Sequence, residues 1–173
     1  AALLGRAVRM GTGRCVYVAP HLVPSRELLA NVNGVMNGVA LRANAVGECF
    51  FYGPGAGKLP TASAVVADVI DCVKHFKARK YLFWEDAKPN YVADFGSMET
   101  SAFVRVSAKD SDTALNTAAD VFGKITPLLA KRPVQGEAGF TVENLSEKEL
   151  RDKLAALEAR GVKVEGRIRI SDY

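Results

Sequence analysis

The chain has few of the residues that stabilise small proteins through disulfides or metal ions. Its 173 residues include three cysteines and two histidines, and no Cys-x-x-Cys pair occurs. Neither a disulfide framework nor a metal site is therefore predicted. Cys15, Cys49 and Cys72 each lie among apolar neighbours, which favours buried, reduced thiols. Reduced thiols fit a cytoplasmic protein.

Two classes of partner also lack a sequence signal. No apolar run approaches the ~18 residues that a membrane-spanning helix needs, and the apolar opening at residues 1–4 is too short for a signal-peptide core. The net charge is +4, but the basic residues are scattered among acidic ones and form no basic stripe. We therefore expect neither a membrane nor a nucleic acid as a partner.

The strongest positive signal is a glycine-rich loop within residues 50–68. An apolar, strand-like run enters the loop, which contains Gly53, Gly55 and Gly57, and a helical pattern follows. Glycine permits positive φ and close approach to the backbone, and the first turn of a helix presents unpaired N–H groups. The pattern predicts a site for an anion or for the edge of a cofactor. A tight strand-to-helix corner without a ligand is the alternative.

The spacing of the glycines excludes the two commonest nucleotide motifs. A P-loop has four residues between its glycines, and its Gly-Lys is followed by Ser or Thr. Here three residues separate Gly53 from Gly57, and Leu59 follows Lys58. The dinucleotide fingerprint needs a two-residue gap before its third glycine, which the evenly spaced glycines lack. Spacing alone leaves the ligand open.

With its flanks, this loop resembles the end of the catalytic domain of homoserine dehydrogenase. The similarity covers about the first half of the chain, and the motifs follow the order of the family. The matching segments are residues 3–5, 18–24 (VAPHLVP), 29–39 (LANVNGVMNGV), 46–48 and 51–68.

The resemblance implies part of an oxidoreductase that interconverts aspartate 4-semialdehyde and homoserine with NADP or NAD, on the route to threonine and methionine. The 173 residues contain neither the Gly-x-Gly-x-x-Gly opening of the family's Rossmann domain nor its catalytic-lysine segment. We therefore expect a carboxy-terminal fragment that has no catalytic residue of its own and is inactive alone. Gly55, Ala56, Gly57 and Thr61 correspond to positions beside the cofactor.

Periodicity divides the chain at residues 76 and 97. Residues 1–76 are interpreted as the catalytic-domain part, a partial sheet with a helix that ends near Phe76. Pro60 fits in or before the first turn of that helix, and Thr61 is a possible cap. Residues 77–97 are interpreted as a linker whose aromatic residues pack against a neighbouring segment. Strand-like runs of the first part lie at 14–18, 34–41 and 46–52.

Residues 98–173 predict the element order β-α-β-β-α-β. This is the order of a ferredoxin-like fold with both helices on one face of the sheet, so the predicted fold class is α+β. The segment resembles an ACT domain, the amino-acid-sensing module of many homoserine dehydrogenases. Strands are expected at 102–106, 125–134, 138–142 and 162–170, and helices at 113–122 and after a capping box at 146–149.

The resemblance to an ACT domain implies an effector site at the first strand-to-helix turn. The family usually has an aspartate followed two residues later by Pro-Gly, whereas here Asp110 is followed by Ser111, Asp112 and Thr113. Asp110 and Asp112 are the candidate effector residues, and threonine is the candidate effector. The alternative functions are a stand-alone amino-acid-binding module and a purely dimerising one.

The last strand predicts how copies of the chain associate. Strict alternation would give the strand an apolar face toward the helices and a charged open face. A charged open face disfavours stacking of two sheets and favours edge-to-edge pairing. We therefore expect a homodimer or larger homo-oligomer, held by the second half. The apolar set is Val162, Val164, Ile168 and Ile170, and the charged set is Lys163, Glu165, Arg167 and Arg169.

Overall fold

The computed structural model is an α+β protein and describes residues 1–11, 13–78, 83–87, 89 and 91–171. Positions 79–82, 88 and 90 of the predicted linker lie outside the described residues. None of the described helices is long and apolar enough to cross a membrane. The strands are β1 Ala2–Met10, β2 Gly13–Leu22, β3 Met36–Ala43, β4 Gly47–Pro54, β5 Glu99–Ser107, β6 Thr126–Leu128, β7 Glu137–Ser146 and β8 Lys163–Ile170. The helices are α1 Lys58–Lys74, α2 Ser111–Phe122 and α3 Glu147–Ala159.

The chain divides into two compact units. The first unit combines residues 1–23 with the described residues from 89 onward, and the second contains the described residues of 24–87. The hairpin β1–β2 therefore shares a unit with the second half of the chain. The predicted boundaries at residues 76 and 97 separate the catalytic-domain part, the linker and the ACT-like segment, and they stay a prediction.

The first unit contains a six-stranded sheet in the order β1-β2-β8-β5-β7-β6. All neighbours are antiparallel except β2 and β8, which pair in parallel at two positions, His21 with Arg169 and Leu22 with Ile170. The second half follows the predicted element order. Its second strand is shorter than expected, because Pro127 lies in the middle of β6 and has no N–H for a ladder.

The core of the first unit lies between the sheet and helices α2 and α3. Alternating residues of β5 and β7 point toward the helices, as a period of two requires. The predicted capping box starts α3, since Ser146 Oγ accepts from Glu149 N at 3.2 Å and Glu149 Oε2 accepts from Ser146 N at 2.9 Å. The buried core consists of Ala102, Val104, Val106, Ala114, Ala118, Phe122, Phe140, Val142, Leu150, Leu154, Leu157 and Val162.

A β-bulge interrupts the last strand. Arg105 of β5 pairs with Gly166 of β8, whereas the next residue, Val106, pairs with Val164. Glu165 is thus an extra residue without a partner position. Because side chains alternate with a period of two, one extra residue exchanges the two faces of the strand beyond it.

The bulge makes part of the predicted face assignment wrong. Arg167 pairs with the fully buried Val104, so it shares the helix side of the sheet, as Arg169 does. Ile168 pairs with Phe103 and lies on the open side. The prediction holds for Val162 and Val164, which belong to the core or pack against it, and is wrong for Arg167, Ile168, Arg169 and Ile170.

The second unit contains the antiparallel hairpin β3–β4 followed by α1. Both strands lie close to the predicted runs. Helix α1 begins three residues before Thr61, with Gly57 as its N-cap residue. The prediction of Thr61 as the cap is therefore wrong, and Pro60 lies inside the first turn, where its missing N–H costs no hydrogen bond.

Two further predictions, the burial of the cysteines and the packing of the aromatic residues in the linker, hold only in part. Cys15 is buried as predicted, and burial, followed by the negative charges of Asp94 and Glu147, raises the pKa of its thiol. Cys72 is exposed, so its predicted burial is wrong. Of the linker aromatics, Phe95 packs on Tyr17 with 5.2 Å between ring centres, but Phe83 and Trp84 are exposed.

Candidate functional site

The glycine loop joins β4 to α1 within the second unit. Gly57 has a φ of +109°, in the region that residues with a side chain rarely adopt. Residues 54–59 are exposed. The loop therefore turns sharply into a helix whose first turn is open to solvent.

Two of the loop amides donate hydrogen bonds to a backbone carbonyl just before β3. Gly55 N and Ala56 N both donate to the carbonyl oxygen of Val35, at 3.0 and 3.3 Å. The amides of Lys58 and Leu59 lie in the first helical turn, where no intrahelical acceptor exists. The helix start thus offers these two donors, while Gly55 and Ala56 shape the loop.

Thr61 closes the first turn of α1. Its hydroxyl donates to the Gly57 carbonyl oxygen at 2.8 Å, and its amide donates to the same oxygen at 3.2 Å. The hydroxyl oxygen keeps lone pairs that can accept a hydrogen bond. Thr61 therefore holds Gly57 in place and can offer an acceptor one turn into the helix.

The loop is suited to bind the polar edge of a ligand. The amino end of a helix carries a partial positive charge from its aligned peptide dipoles, and Lys58 adds a full charge at the same end. The missing side chain at Gly57 leaves the backbone accessible at the helix start. An anion or a carbonyl oxygen is the group that this arrangement favours.

Helix α1 carries an exposed apolar face. The face consists of Val65, Val69 and Val73, with Phe76 just beyond the end of the helix. Their exposed fractions are 57%, 57%, 70% and 84%. Most helices gain their stability from packing an apolar face. A face of this size is typical of a helix that packs against further protein.

Asp110 and Asp112, the candidate effector residues, lie at the start of α2. Asp110 is the N-cap residue, and its Oδ1 accepts from Thr113 N at 2.6 Å. This hydrogen bond lowers the pKa of Asp110 from its ordinary value of 3.8. Asp112 lies in the first turn, where a carboxylate is favoured by the helix dipole. The structure therefore gives both residues a helix-starting role.

The capping role of Asp110 predicts a difference between two substitutions. Asp110→Asn should leave the unfolding midpoint of the 173-residue chain nearly unchanged at neutral pH, because an amide oxygen can still accept from Thr113. Asp110→Ala should lower it. A lowered pKa contributes stability that is complete above the unfolded pKa and is lost as pH falls through the folded pKa. Any advantage of Asp110 over Asn should therefore begin to decline near pH 4 and vanish below the folded pKa of Asp110. Thermal unfolding by circular dichroism measures this, and equal midpoints for the Ala and Asn variants would contradict it.

A buried polar cluster in the first unit has no counterpart among the sequence predictions. Arg169 of β8 donates to Glu147 at the start of α3 through Nε at 2.5 Å and Nη2 at 2.9 Å, and Glu147 is 4% exposed. The guanidinium lies 5.9 Å from the ring centre of Tyr17 and 5.4 Å from that of Phe95. The cluster thus ties the hairpin β1–β2 to β8 and α3.

His21 extends this cluster. The side chain is 1% exposed. Its Nδ1 lies 2.9 Å from the carbonyl oxygen of Ala19, and its Nε2 lies 3.3 Å from the hydroxyl of Tyr17. Both ring nitrogens are therefore within hydrogen-bonding distance of protein groups.

Comparison with known proteins points to one family. The sequence model of the homoserine dehydrogenase family matches residues 1–70. The chain is 41% identical to a homoserine dehydrogenase of Neisseria gonorrhoeae over 143 residues, which cover 79% of this chain and 31% of the relative. It is 34% identical to that of Pseudomonas aeruginosa over 157 residues, 87% of this chain and 33% of the relative. The chain thus spans about a third of the length of these relatives.

Solved structures agree with the sequence comparison. The crystal structure of a homoserine dehydrogenase from Thiobacillus denitrificans is 32% identical and superposes with a TM-score of 0.75, covering 98% of this chain and 42% of its own. The enzyme from S. aureus, at 24% identity, shares the fold with a TM-score of 0.66 over 99% of this chain and 41% of its own. By sequence over residues 1–70 and by fold over nearly its whole length, the chain is similar to part of these homoserine dehydrogenases.

Proposed function

We propose that the chain is part of an enzyme that interconverts L-aspartate 4-semialdehyde and L-homoserine with NADP or NAD. The observation that carries the proposal is the glycine loop, a solvent-open helix start behind a glycine with φ +109°, located inside the segment that matches the family. The identity to named homoserine dehydrogenases over most of the chain supports it.

The loop forms one wall on the cofactor side of the proposed active site. Gly57 has no Cβ to hold the cofactor away, the amides of Lys58 and Leu59 donate to one of its polar groups, and the Thr61 hydroxyl oxygen accepts. The bound nicotinamide cofactor supplies the hydride chemistry. The part of this chain is to bind and orient the cofactor.

The exposed face of α1 supports a position next to further protein in the enzyme. The relatives are about three times as long as the matched segment, and an apolar helix face follows directly on the glycine loop. We assign this face to packing against the rest of the enzyme. The helix then fixes the loop relative to the remaining part of the site.

A comparison of two proteins tests the proposed function. A full-length protein that carries this chain, extended to the length of its relatives, should oxidise homoserine with NADP or NAD. The 173-residue chain should show no turnover with either cofactor, because the family's catalytic lysine lies outside it. Turnover by the chain alone, or none by the full-length protein, would contradict the proposal.

A regulatory or dimerising role is proposed for residues 98–173, as in an ACT domain. The order β8-β5-β7-β6, with both helices on one face, supports a ferredoxin-like arrangement. Asp110 and Asp112 remain the candidate residues for an amino-acid effector such as threonine. Calorimetric titration with threonine separates the two roles, since binding supports sensing and its absence favours dimerisation alone.

The proposal includes a homo-oligomer, and the bulge in β8 changes its expected geometry. Ile168 and Phe103 pair on the open face of the sheet, and Leu128 of β6 is 47% exposed. The edge strand of the second half, β6, is short and contains a proline, which disfavours edge pairing at that end of the sheet. Stacking of two open faces is therefore the better arrangement.

Sedimentation should show a dimer or larger species of the 173-residue chain at micromolar concentration. Ile168→Glu should produce monomers, because the new carboxylate would be buried between two stacked faces. Arg151→Glu is the control and should leave the oligomer intact, because Arg151 is 69% exposed and lies on helix α3, away from the open face of the sheet. A monomeric wild-type chain would contradict the oligomer, and an oligomeric Ile168→Glu variant would favour edge pairing.

A further inference from the structure

The side chain of Asn37 occupies the space beside Gly55. Asn37 lies at the start of β3 and pairs with Gly53 of β4, one residue before the loop leaves the sheet. A Cβ atom on residue 55 would lie 1.5 Å from Asn37 Nδ2 and 2.5 Å from its Cγ. These distances are far inside van der Waals contact, so a side chain at position 55 requires the Asn37 carboxamide to move.

Gly55 therefore leaves room for the Asn37 carboxamide. It is not among the glycines with positive φ, whereas Gly57 is. The three nearest atoms that a Cβ at this position would meet all belong to the Asn37 side chain. Asn37 and Gly55 are thus complementary in size at this point of the loop.

The residue just before β3 holds the loop by its backbone. The Val35 carbonyl oxygen accepts from Gly55 N and Ala56 N, two residues before Asn37. The loop is thus fixed on this side by one carbonyl and one carboxamide. Its other end continues into the open helix start at Gly57.

We infer that Asn37 is a positioning residue for the glycine loop. Its carboxamide forms the wall that fixes the path of residues 55–57 and thereby places the amides of Lys58 and Leu59. Asn37 is itself exposed, so shortening it leaves no cavity in a core. The inference rests on the proposed function, because it assigns the wall to the cofactor-binding loop of that enzyme.

A double-mutant cycle in the full-length parent tests the inference. Asn37→Ala should raise the KM for the nicotinamide cofactor by about tenfold, since a misplaced binding group weakens orientation. Gly55→Ala should raise it further, because the new Cβ meets the carboxamide. The double variant should resemble Asn37→Ala alone, because removal of the carboxamide makes room for the Cβ. The KM for homoserine and the unfolding midpoint should change little in Asn37→Ala.

Asn44→Ala is the matched control, an exposed asparagine in the turn at the other end of the same hairpin. It should leave the cofactor KM unchanged. Additive effects in the double variant, an unaffected Gly55→Ala enzyme, or equal changes in both KM values would each overturn the inference while the wild-type enzyme stays active. A wild-type parent that fails to oxidise homoserine would instead overturn the proposed function.

Discussion

Gly57→Val in the full-length parent is expected to raise the KM for the nicotinamide cofactor by about ten- to a hundredfold. Gly57 has a φ of +109°, and holding a residue with a side chain in such a region costs about 1–3 kcal/mol. Each 1.4 kcal/mol of binding energy corresponds to a factor of about ten. The branched side chain would also project from the loop at the point where the cofactor is proposed to approach. Initial rates at varied cofactor and saturating homoserine measure the effect.

Gly47→Val is the matched control for this prediction. Gly47 also has a positive φ, +73°, and a Cβ there would meet nothing within 4 Å. It lies at the turn between β3 and β4, at the opposite end of the hairpin from the loop. The control should lose stability through backbone strain but keep its cofactor KM. Equal KM values for Gly57→Val and the wild type would contradict the assignment of the loop.

The glycine loop and the element order of residues 98–173 could be predicted because both depend on local sequence. Strand β1, Ala2–Met10, was not predicted. Three glycines after an apolar strand and before a helical repeat identify a strand–loop–helix segment within one stretch of chain. The capping box at Ser146 and Glu149 likewise needs residues only three positions apart. Local patterns of this kind carry their own geometry.

The faces of β8 could not be predicted by the same reasoning. Alternation fails there because one residue, Glu165, is inserted opposite β5. Glu165 accepts from Ser107 Oγ at 2.7 Å, and this hydrogen bond lowers the pKa of its carboxyl. The partner lies 58 positions away in the chain. A pattern read along β8 alone contains no sign of it.

The polar cluster of the first unit was missed for the same reason. Arg169 meets Glu147 only because the bulge brings it to the helix side of the sheet. Tyr17 meets Arg169 because β2 pairs with β8 in parallel at its last two residues. Both contacts depend on strand pairing between distant segments, which composition and periodicity do not specify.

Loss of Arg169 should destabilise the 173-residue chain by about 3–5 kcal/mol, the usual effect of removing one partner of a buried ion pair. Arg169→Met keeps an apolar stem between Tyr17 and Phe95 but leaves Glu147, which is 4% exposed, without its bidentate partner. A buried carboxylate without a partner is costly because its solvation is not replaced. Urea unfolding followed by circular dichroism gives the change in the free energy of unfolding.

Two further variants distinguish the free-energy cost of an unpaired buried charge from the cost of lost packing around the guanidinium. Arg169→Met combined with Glu147→Gln should recover much of the loss, because no unpaired charge remains and replacing a whole buried pair is often close to neutral. Arg151 and Asp152 form an exposed pair at 4.0 Å with side chains 69% and 62% exposed, and Arg151→Met should cost less than about 1 kcal/mol. If Arg169→Met lowers the free energy of unfolding as little as Arg151→Met does, the cluster contributes little to holding the hairpin β1–β2 on the second half. If the double variant is as unstable as Arg169→Met alone, the contacts of the guanidinium with the two aromatic rings account for the loss instead of the ion pair.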